Sequence, residues 1–142
     1  MRRGVLVVAA GGNQGTLGGS AITRHPWVIP VVAYTNAGWP LAQSNLGRSI
    51  GSRGLGAPGQ GVVSLAPTGE PAVSAGTSIA APFVTGAAAL LWSAFPGVAA
   101  VEVRGALLSS PSRRPRTVVP PLLDAVAAYE LLSGGQARRA VQ

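Results

Sequence analysis

The sequence predicts an α/β fold with a mostly parallel sheet and a buried central helix. Continuous apolar runs at residues 5–8 and 27–34 predict two strands of the sheet, because strands buried on both faces carry such runs instead of an alternating pattern. The segment "GTSIAAPFVTGAAALL", residues 76–91, predicts the helix, since it is small or apolar nearly all round. A helix of that composition is expected to pack in the core.

The composition is typical of one folded domain or a piece of one. The chain has 142 residues, of which 47% are hydrophobic and only 11% are charged, which excludes a disordered protein. No cysteine is present, so disulfides, thiolate zinc sites and thiol nucleophiles are excluded. The net charge of +7 comes from eleven scattered arginines with few aromatic residues near them, so no nucleic-acid partner is expected. No metal site and no cofactor are predicted.

The first strand is followed by a glycine-rich loop at residues 11–19, where the backbone could approach a ligand closely. Two arginines precede the strand as in a signal peptide, but the apolar stretch of residues 5–10 is shorter than the roughly 7 to 15 residues that a signal core needs. No compartment is therefore assigned. In the second strand, Pro30 removes a backbone donor and predicts an edge position or a bulge.

Two short strands at residues 62–66 and 72–74 predict a hairpin that leads into the main helix. The helix is expected to begin after Ser78, to carry Pro82 in its first turn and to stop before Pro96. The uncharged run of residues 77–96 is also long enough to be weighed as a membrane span of about 20 residues. Pro82, Gly86 and Ser93 interrupt it, so a core helix is favoured and no membrane contact is expected.

Two further helices are predicted towards the end of the chain. One covers residues 98–109, and the other runs from Asp124, as its N-cap, to about residue 132. Residues 1–133 form the predicted domain, and residues 134–142 are expected to be a flexible basic tail.

Three ordered blocks resemble the subtilisin-like serine peptidases, the subtilases: "AAGGNQG" at 9–15, "GAPGQGVVS" at 56–64, and "GTSIAAPFVTGAAALL" at 76–91. The third block is the most specific of the three. The resemblance implies the carboxy-terminal half of a catalytic domain, with a partial subtilisin-like fold that is a three-layer α/β/α structure when complete. It also implies a serine endopeptidase that works through an acyl-enzyme on a peptide or protein substrate.

The resemblance assigns roles to six residues. Ser78 matches the nucleophile, and Asn13 matches the side-chain amide that binds the oxyanion. Gly76 and Thr77 would shape the turn before the nucleophile, while Gly11 and Gly12 would let their loop pass close to a substrate. Simpler interpretations are that Ser78 only caps a helix and that Asn13 is only a turn residue.

The sequence holds one histidine, His25, and a serine hydroxyl needs a base and an orienting carboxylate to act as a nucleophile. His25 matches a non-catalytic position of the family, and Asp124 matches the cap of the last helix. Subtilases carry aspartate, histidine and serine in that order along the chain. The aspartate and histidine motifs would therefore lie before Met1, in a missing amino-terminal half, and the chain alone is expected to be inactive. The alternative is a non-catalytic remnant or interaction module with exposed strand edges.

Overall fold

A computed structural model describes residues 4–109 and 117–139 of the chain, without the side chains of 137–139. The elements in chain order are β1 (Val7–Ala10), α1 (Ala21–Arg24), β2 (Val28–Tyr34), α2 (Arg48–Arg53), β3 (Leu55–Pro58), β4 (Val62–Leu65), β5 (Pro71–Ser74), α3 (Thr77–Ala94), α4 (Ala100–Leu108) and α5 (Ala125–Arg139).

The predicted parallel sheet is present, with three strands in the order β1-β2-β3. Every residue of the central strand β2 is buried. Its alternate residues Ile29, Val31 and Ala33 pack in the larger core with α3, whereas Val32 and Tyr34 pack with Ile50 of α2 on the opposite face. The sheet therefore has helices on both faces, which confirms the α/β class and explains why this strand is apolar throughout.

The predicted edge or bulge at Pro30 is wrong, because β2 is the central strand. Pairing with β1 includes Pro30, but pairing with β3 begins only at Val31, opposite Leu55. The Val31 carbonyl accepts from the Gly11 N–H on the β1 side, so the backbone of Pro30, one residue earlier, faces the β3 side. The hydrogen bonds between β2 and β3 begin one residue after Pro30. The missing N–H of Pro30 therefore removes no hydrogen bond between these two strands.

The main helix α3 begins at Thr77, with Gly76 as its N-cap, so the predicted start after Ser78 is two residues late. One face of α3 packs on the sheet through six buried residues: Thr77, Ala80, Val84, Ala87, Ala88 and Leu91. The opposite face is open, since Leu90 is 72% and Phe83 42% exposed. Of the described helices, α3 alone is long and apolar enough to cross a membrane. The core helix of a soluble protein can have the same length and mean hydropathy.

The predicted hairpin is confirmed by the antiparallel pair β4 and β5, which leads into α3. The Ala99 N–H, ahead of α4, donates to the Glu102 carboxylate. Asp124 is confirmed as an N-cap, because its carboxylate accepts from the Ala127 N–H at 2.9 Å. The predicted end of the last helix near residue 132 is wrong: α5 continues to Arg139, through most of the segment expected to be a tail. Residues 140–142 lie outside the described residues.

Candidate active site

Two segments that are far apart in the sequence meet at the amino-terminal end of α3. The loop after β1 starts at the buried Gly11, whose N–H donates to the Val31 carbonyl at 2.8 Å and so prolongs the pairing of β1 with β2. The chain then turns towards α3. The carboxyl ends of parallel strands are the usual location of sites in open α/β sheets, and this loop leaves β1 at such an end.

Thr77 joins these segments through its backbone and its side chain. Its N–H donates to Asn13 Oδ1 at 2.9 Å, and its hydroxyl donates to the same oxygen at 3.0 Å. The hydroxyl also accepts from the Gly12 N–H at 3.2 Å. Thr77 is fully buried, and its two hydrogen bonds to Asn13 place that side chain against the first turn of the helix.

These bonds determine which way the Asn13 amide points. The backbone N–H of Thr77 can only donate, so the oxygen of the amide must face it and the NH₂ group must face away. No acceptor for this NH₂ group is found in residues 4–109 or 117–139. Asn13 therefore presents two N–H donors beside the start of α3.

Glycine is required where the two segments touch. Gly76 has a φ of 126°, which side chains rarely allow, and a Cβ there would lie 3.1 Å from the Asn13 amide nitrogen. Gly12 has a φ of 105°, and a Cβ there would overlap the side chain of Asn45. Gly76 thus permits the close approach of loop and helix, and Gly12 permits the close approach of the loop and Asn45.

Asn45 also holds the loop after β1 in place, a role that was not predicted from the sequence. Its Oδ1 accepts from the N–H groups of Gln14 and Thr16 at 3.0 and 3.1 Å, and its own N–H donates to the Gly12 carbonyl at 2.9 Å. These partners are 29 to 33 residues away in the chain. The surrounding sequence "QSNLG" reads as an ordinary turn, so no local signal could have revealed this role.

Ser78 is the second residue of α3 and is exposed, next to the buried Thr77. The interpretation of Ser78 as an N-cap is wrong, because Gly76 occupies that position. In the first turn, the N–H groups of Ile79 and Ala80 both donate to the Gly76 carbonyl. Neither the hydroxyl nor the N–H of Ser78 has a hydrogen-bond partner among the described residues. A free hydroxyl and a free N–H at a helix amino terminus suit the chemistry of a nucleophile and an anion.

The sequence model of the subtilase family matches residues 1–125. The chain belongs to the subtilase family. Among curated relatives, it is 36% identical over 111 residues to subtilisin amylosacchariticus of Bacillus subtilis subsp. amylosacchariticus, covering 75% of this chain and 28% of that protein. It is 35% identical over 121 residues to mycosin-3 of Mycobacterium tuberculosis, covering 73% of this chain and 26% of that protein.

Solved structures agree with the fold of this subtilase chain. The self-cleaved protease domain of PatA matches with a TM-score of 0.84 and 34% identity, covering 94% of this chain and 52% of that one. The PatG macrocyclase in complex with peptide matches with a TM-score of 0.79 and 31% identity, covering 90% of this chain and 43% of that one. The chain thus spans about half the length of these solved relatives and less of the curated ones.

His25 and Asp124 of the subtilase chain both make local contacts. His25 is the C-cap of α1, and its Nδ1 accepts from the Trp27 N–H at 3.3 Å. Asp124 caps α5, as described above. No hydrogen bond joins either side chain to Ser78 in the part of the chain that the structure describes.

Proposed function

We propose that this chain is the nucleophile-bearing half of a serine endopeptidase, and that Ser78 attacks a peptide bond once an aspartate and a histidine are supplied from another segment. The observation that carries the proposal is the pair of hydrogen bonds from Thr77 to Asn13, which orients an amide donor beside the residue that precedes Ser78. Membership of the subtilase family supports the same chemistry.

In the proposed reaction, the Ser78 hydroxyl oxygen forms a bond to the substrate carbonyl carbon while its proton passes to the supplied histidine. The carbonyl oxygen becomes an oxyanion, which accepts from the Ser78 N–H and from the Asn13 amide. Collapse of this intermediate breaks the peptide C–N bond, and the histidine returns the proton to the leaving amine. Water then hydrolyses the acyl-enzyme. Gly12 would lie beside the path of the substrate backbone, while the buried Gly11 and Gly76 would hold the loop and the start of α3 in place.

In this proposal, the Asn13 amide donates a stronger hydrogen bond to the oxyanion than to the carbonyl oxygen of the bound substrate. It therefore stabilises the transition state more than the ground state. In subtilisin itself, removal of the corresponding side-chain donor is known to lower kcat about 10²- to 10³-fold. We expect a loss of that order in this chain when Asn13 is replaced by alanine. Thr77 acts as a positioning residue, because it contacts Asn13 and not the reacting atoms.

The base and its carboxylate are proposed to come from outside this sequence. The only histidine of the chain is engaged at the end of α1, and Asp124 is engaged at the start of α5. A serine without a base is a weak nucleophile, so the chain by itself should turn over no substrate at a useful rate.

A fluorophosphonate probe tests the proposal, because it reacts covalently with activated serines. The full chain would be labelled alone and with the remaining half of the PatA protease domain, the part that this chain does not match. Labelling of Ser78 is expected only in the mixture. Ser78→Ala should abolish it, Asn13→Ala should slow it about 10²-fold or more, and Ser93→Ala, a change at an exposed serine further along α3, should leave it intact. Absence of labelling in the mixture would refute the proposal.

The second candidate function is a non-catalytic interaction module. The observation that favours it is the edge strand β1, where Val7 is 39% exposed and one side of the strand has no neighbour in the described sheet. Such an edge can pair with a strand of another chain. Binding of a partner without any labelling of Ser78 would support this function over the first.

A further inference from the structure

We propose that the exposed side of the hairpin of β4 and β5 binds an extended apolar segment of the protein substrate, while Ser78 attacks a peptide bond elsewhere in the same polypeptide. This inference rests on the proposed function and adds a substrate class to it, namely polypeptides with alternating apolar residues near the cleaved bond. We call this side of the hairpin the hairpin face, and it is formed by Val63, Leu65, Pro71 and Val73.

The hairpin face is apolar and open to solvent. Directly opposed residues of antiparallel strands project from the same side, and so do residues two apart along a strand. The register therefore gathers two opposed pairs on one side: Val63 with Val73, and Leu65 with Pro71. Val63 is 68%, Val73 73% and Leu65 75% exposed.

The other side of the hairpin is the one that is partly buried, although it is smaller and more polar. It consists of four residues, of which all but the serine at 64 are half-buried: Val62, Ser64, Ala72 and Ser74. Antiparallel strands that cover a core normally have the reverse arrangement, with apolar side chains inward and polar ones outward. The hairpin face therefore contributes little to the core of this chain, and a contiguous exposed apolar surface marks an interaction site.

The turn of the hairpin fixes this outward direction. A shift of the register by one residue would move every apolar side chain to the opposite side. The Ala66 N–H donates to the Glu70 carbonyl at 2.8 Å, and the Gly69 N–H donates to the Ala66 carbonyl at 2.8 Å. Gly69 has a φ of 85°, a conformation that favours glycine. The turn thus determines the register, and the register directs the apolar residues to solvent.

The base of the hairpin is joined to the candidate active site. The N–H of Gly76, the N-cap of α3, donates to the Gly59 carbonyl at 2.9 Å, and the Gly59 N–H donates to the Tyr34 carbonyl at 3.0 Å. Val73 is five positions before Ser78, so their Cα atoms lie at most about 18 Å apart. A polypeptide bound on the hairpin face can therefore reach Ser78 with a few further residues.

Charge and spacing indicate which occupant fits the hairpin face. Glu70 is the one charged residue between positions 54 and 101 of the sequence, so the occupant is expected to be recognised by apolar contact and not by charge. Alternate side chains of an extended segment repeat at about 7 Å, which is also the spacing of Val63 and Leu65 along β4. A second copy of the chain is a poorer occupant, because each copy has a net charge of +7 and the two would repel one another.

Peptide binding tests the hairpin face without any chemistry at Ser78. A short uncharged peptide of alternating leucine and threonine, and a control peptide with serine in place of leucine, would be titrated by calorimetry into the full chain carrying Ser78→Ala. We expect the leucine peptide to bind at least tenfold more tightly than the serine peptide.

Matched valine substitutions test the location. Val63→Thr with Val73→Thr keeps the side-chain shape and the β-propensity, so the variant should fold, and it should weaken binding of the leucine peptide at least tenfold. The control makes the same change at two helix residues that are 59% and 69% exposed, Val101→Thr with Val126→Thr, and it should change binding less than twofold.

A tethered probe tests whether the bound segment can reach Ser78. A fluorophosphonate would be attached through a flexible linker to each peptide and added to the chain mixed with the remaining half of the PatA protease domain. Binding on the hairpin face raises the local concentration of the fluorophosphonate, so the leucine peptide should label Ser78 at least tenfold faster than the serine peptide. Val63→Thr with Val73→Thr should remove this advantage and leave labelling by the free fluorophosphonate within twofold.

The outcomes separate this inference from the proposed function. Peptide binding that depends on the hairpin face, without labelling of Ser78 by any probe, supports the binding surface and refutes the peptidase proposal. Labelling of Ser78 at equal rates by the two tethered probes refutes the inference alone. The inference is also refuted if the two peptides bind equally, or if the remaining half of the PatA domain blocks peptide binding. Dimerisation of the chain that is lost in the variant Val63→Thr with Val73→Thr would refute it as well, by identifying a second copy as the occupant.

Discussion

Replacing Thr77 with valine should destabilise the chain by about 2 kcal/mol, because the threonine hydroxyl joins the loop to α3. Valine keeps the shape of the fully buried side chain and removes only the hydroxyl. The Asn13 oxygen then loses one of its two donors, and the Gly12 N–H loses its acceptor.

The magnitude follows from these two bonds. Each hydrogen bond contributes about 1 kcal/mol net, and an N–H left without a partner costs about 1 to 3 kcal/mol when it is buried. Gly12 is only partly buried, so water can reach its N–H and the lower end of that range applies. Loss of both interactions therefore costs about 2 kcal/mol. With a urea m-value of about 2 kcal/mol/M, the unfolding midpoint should fall by about 1 M.

The assay is urea unfolding followed by tryptophan fluorescence. Thr77→Ser is the control for volume: it keeps the hydroxyl and removes one methyl group, so it should cost about 1 kcal/mol. A double-mutant cycle with Asn13→Ala should show a coupling energy of about 1 kcal/mol between the two residues. The reasoning is refuted if Thr77→Val unfolds within 0.5 kcal/mol of the wild type, or if the two substitutions are additive.

Two further predictions concern stability. Burial raises the pKa of the Tyr34 phenol above its usual value of 10.0, and the hydroxyl donates to the Pro120 carbonyl at 2.6 Å. The unfolded chain then loses this proton at a lower pH than the folded chain, so the free energy of unfolding should fall as the pH rises above about 10 through the folded pKa. Tyr34→Phe should flatten this fall in urea midpoints measured on both sides of pH 10, and an unchanged pH dependence would contradict the assignment. Gly51→Ala should destabilise by about 2 kcal/mol or more, because the added Cβ would overlap the Thr117 carbonyl and the backbone would have to move. Gly105 is a helix residue with open space around it, so Gly105→Ala should instead stabilise the chain by about 1 kcal/mol. Equal shifts of the urea unfolding midpoint in the two alanine variants would contradict the packing argument.

Local signals in the sequence predicted much of the fold. The apolar run of β2, the hairpin β4 and β5, the helix α3 and the cap at Asp124 all depend on residues close together in the chain, and all are present. Three of the short elements were missed: β3, α1 and α2. β3 has only four residues, including a glycine and a proline, and α1 and α2 have four and six residues, so none carries a periodic pattern long enough to detect.

The candidate site divides in the same way. The sequence by itself identified the residues of the candidate site, since the three blocks contain Asn13, Thr77 and Ser78. The role of nucleophile for Ser78 stays a prediction. Only the tertiary structure decided that the Asn13 oxygen faces Thr77, that Asn45 braces the loop, and that Pro30 fits a central strand. The physical reason is the separation of the contacting residues along the chain. The contacts that brace the site join residues 29 to 65 positions apart, whereas patterns in a single sequence report only on neighbours within a helix turn or a strand pair.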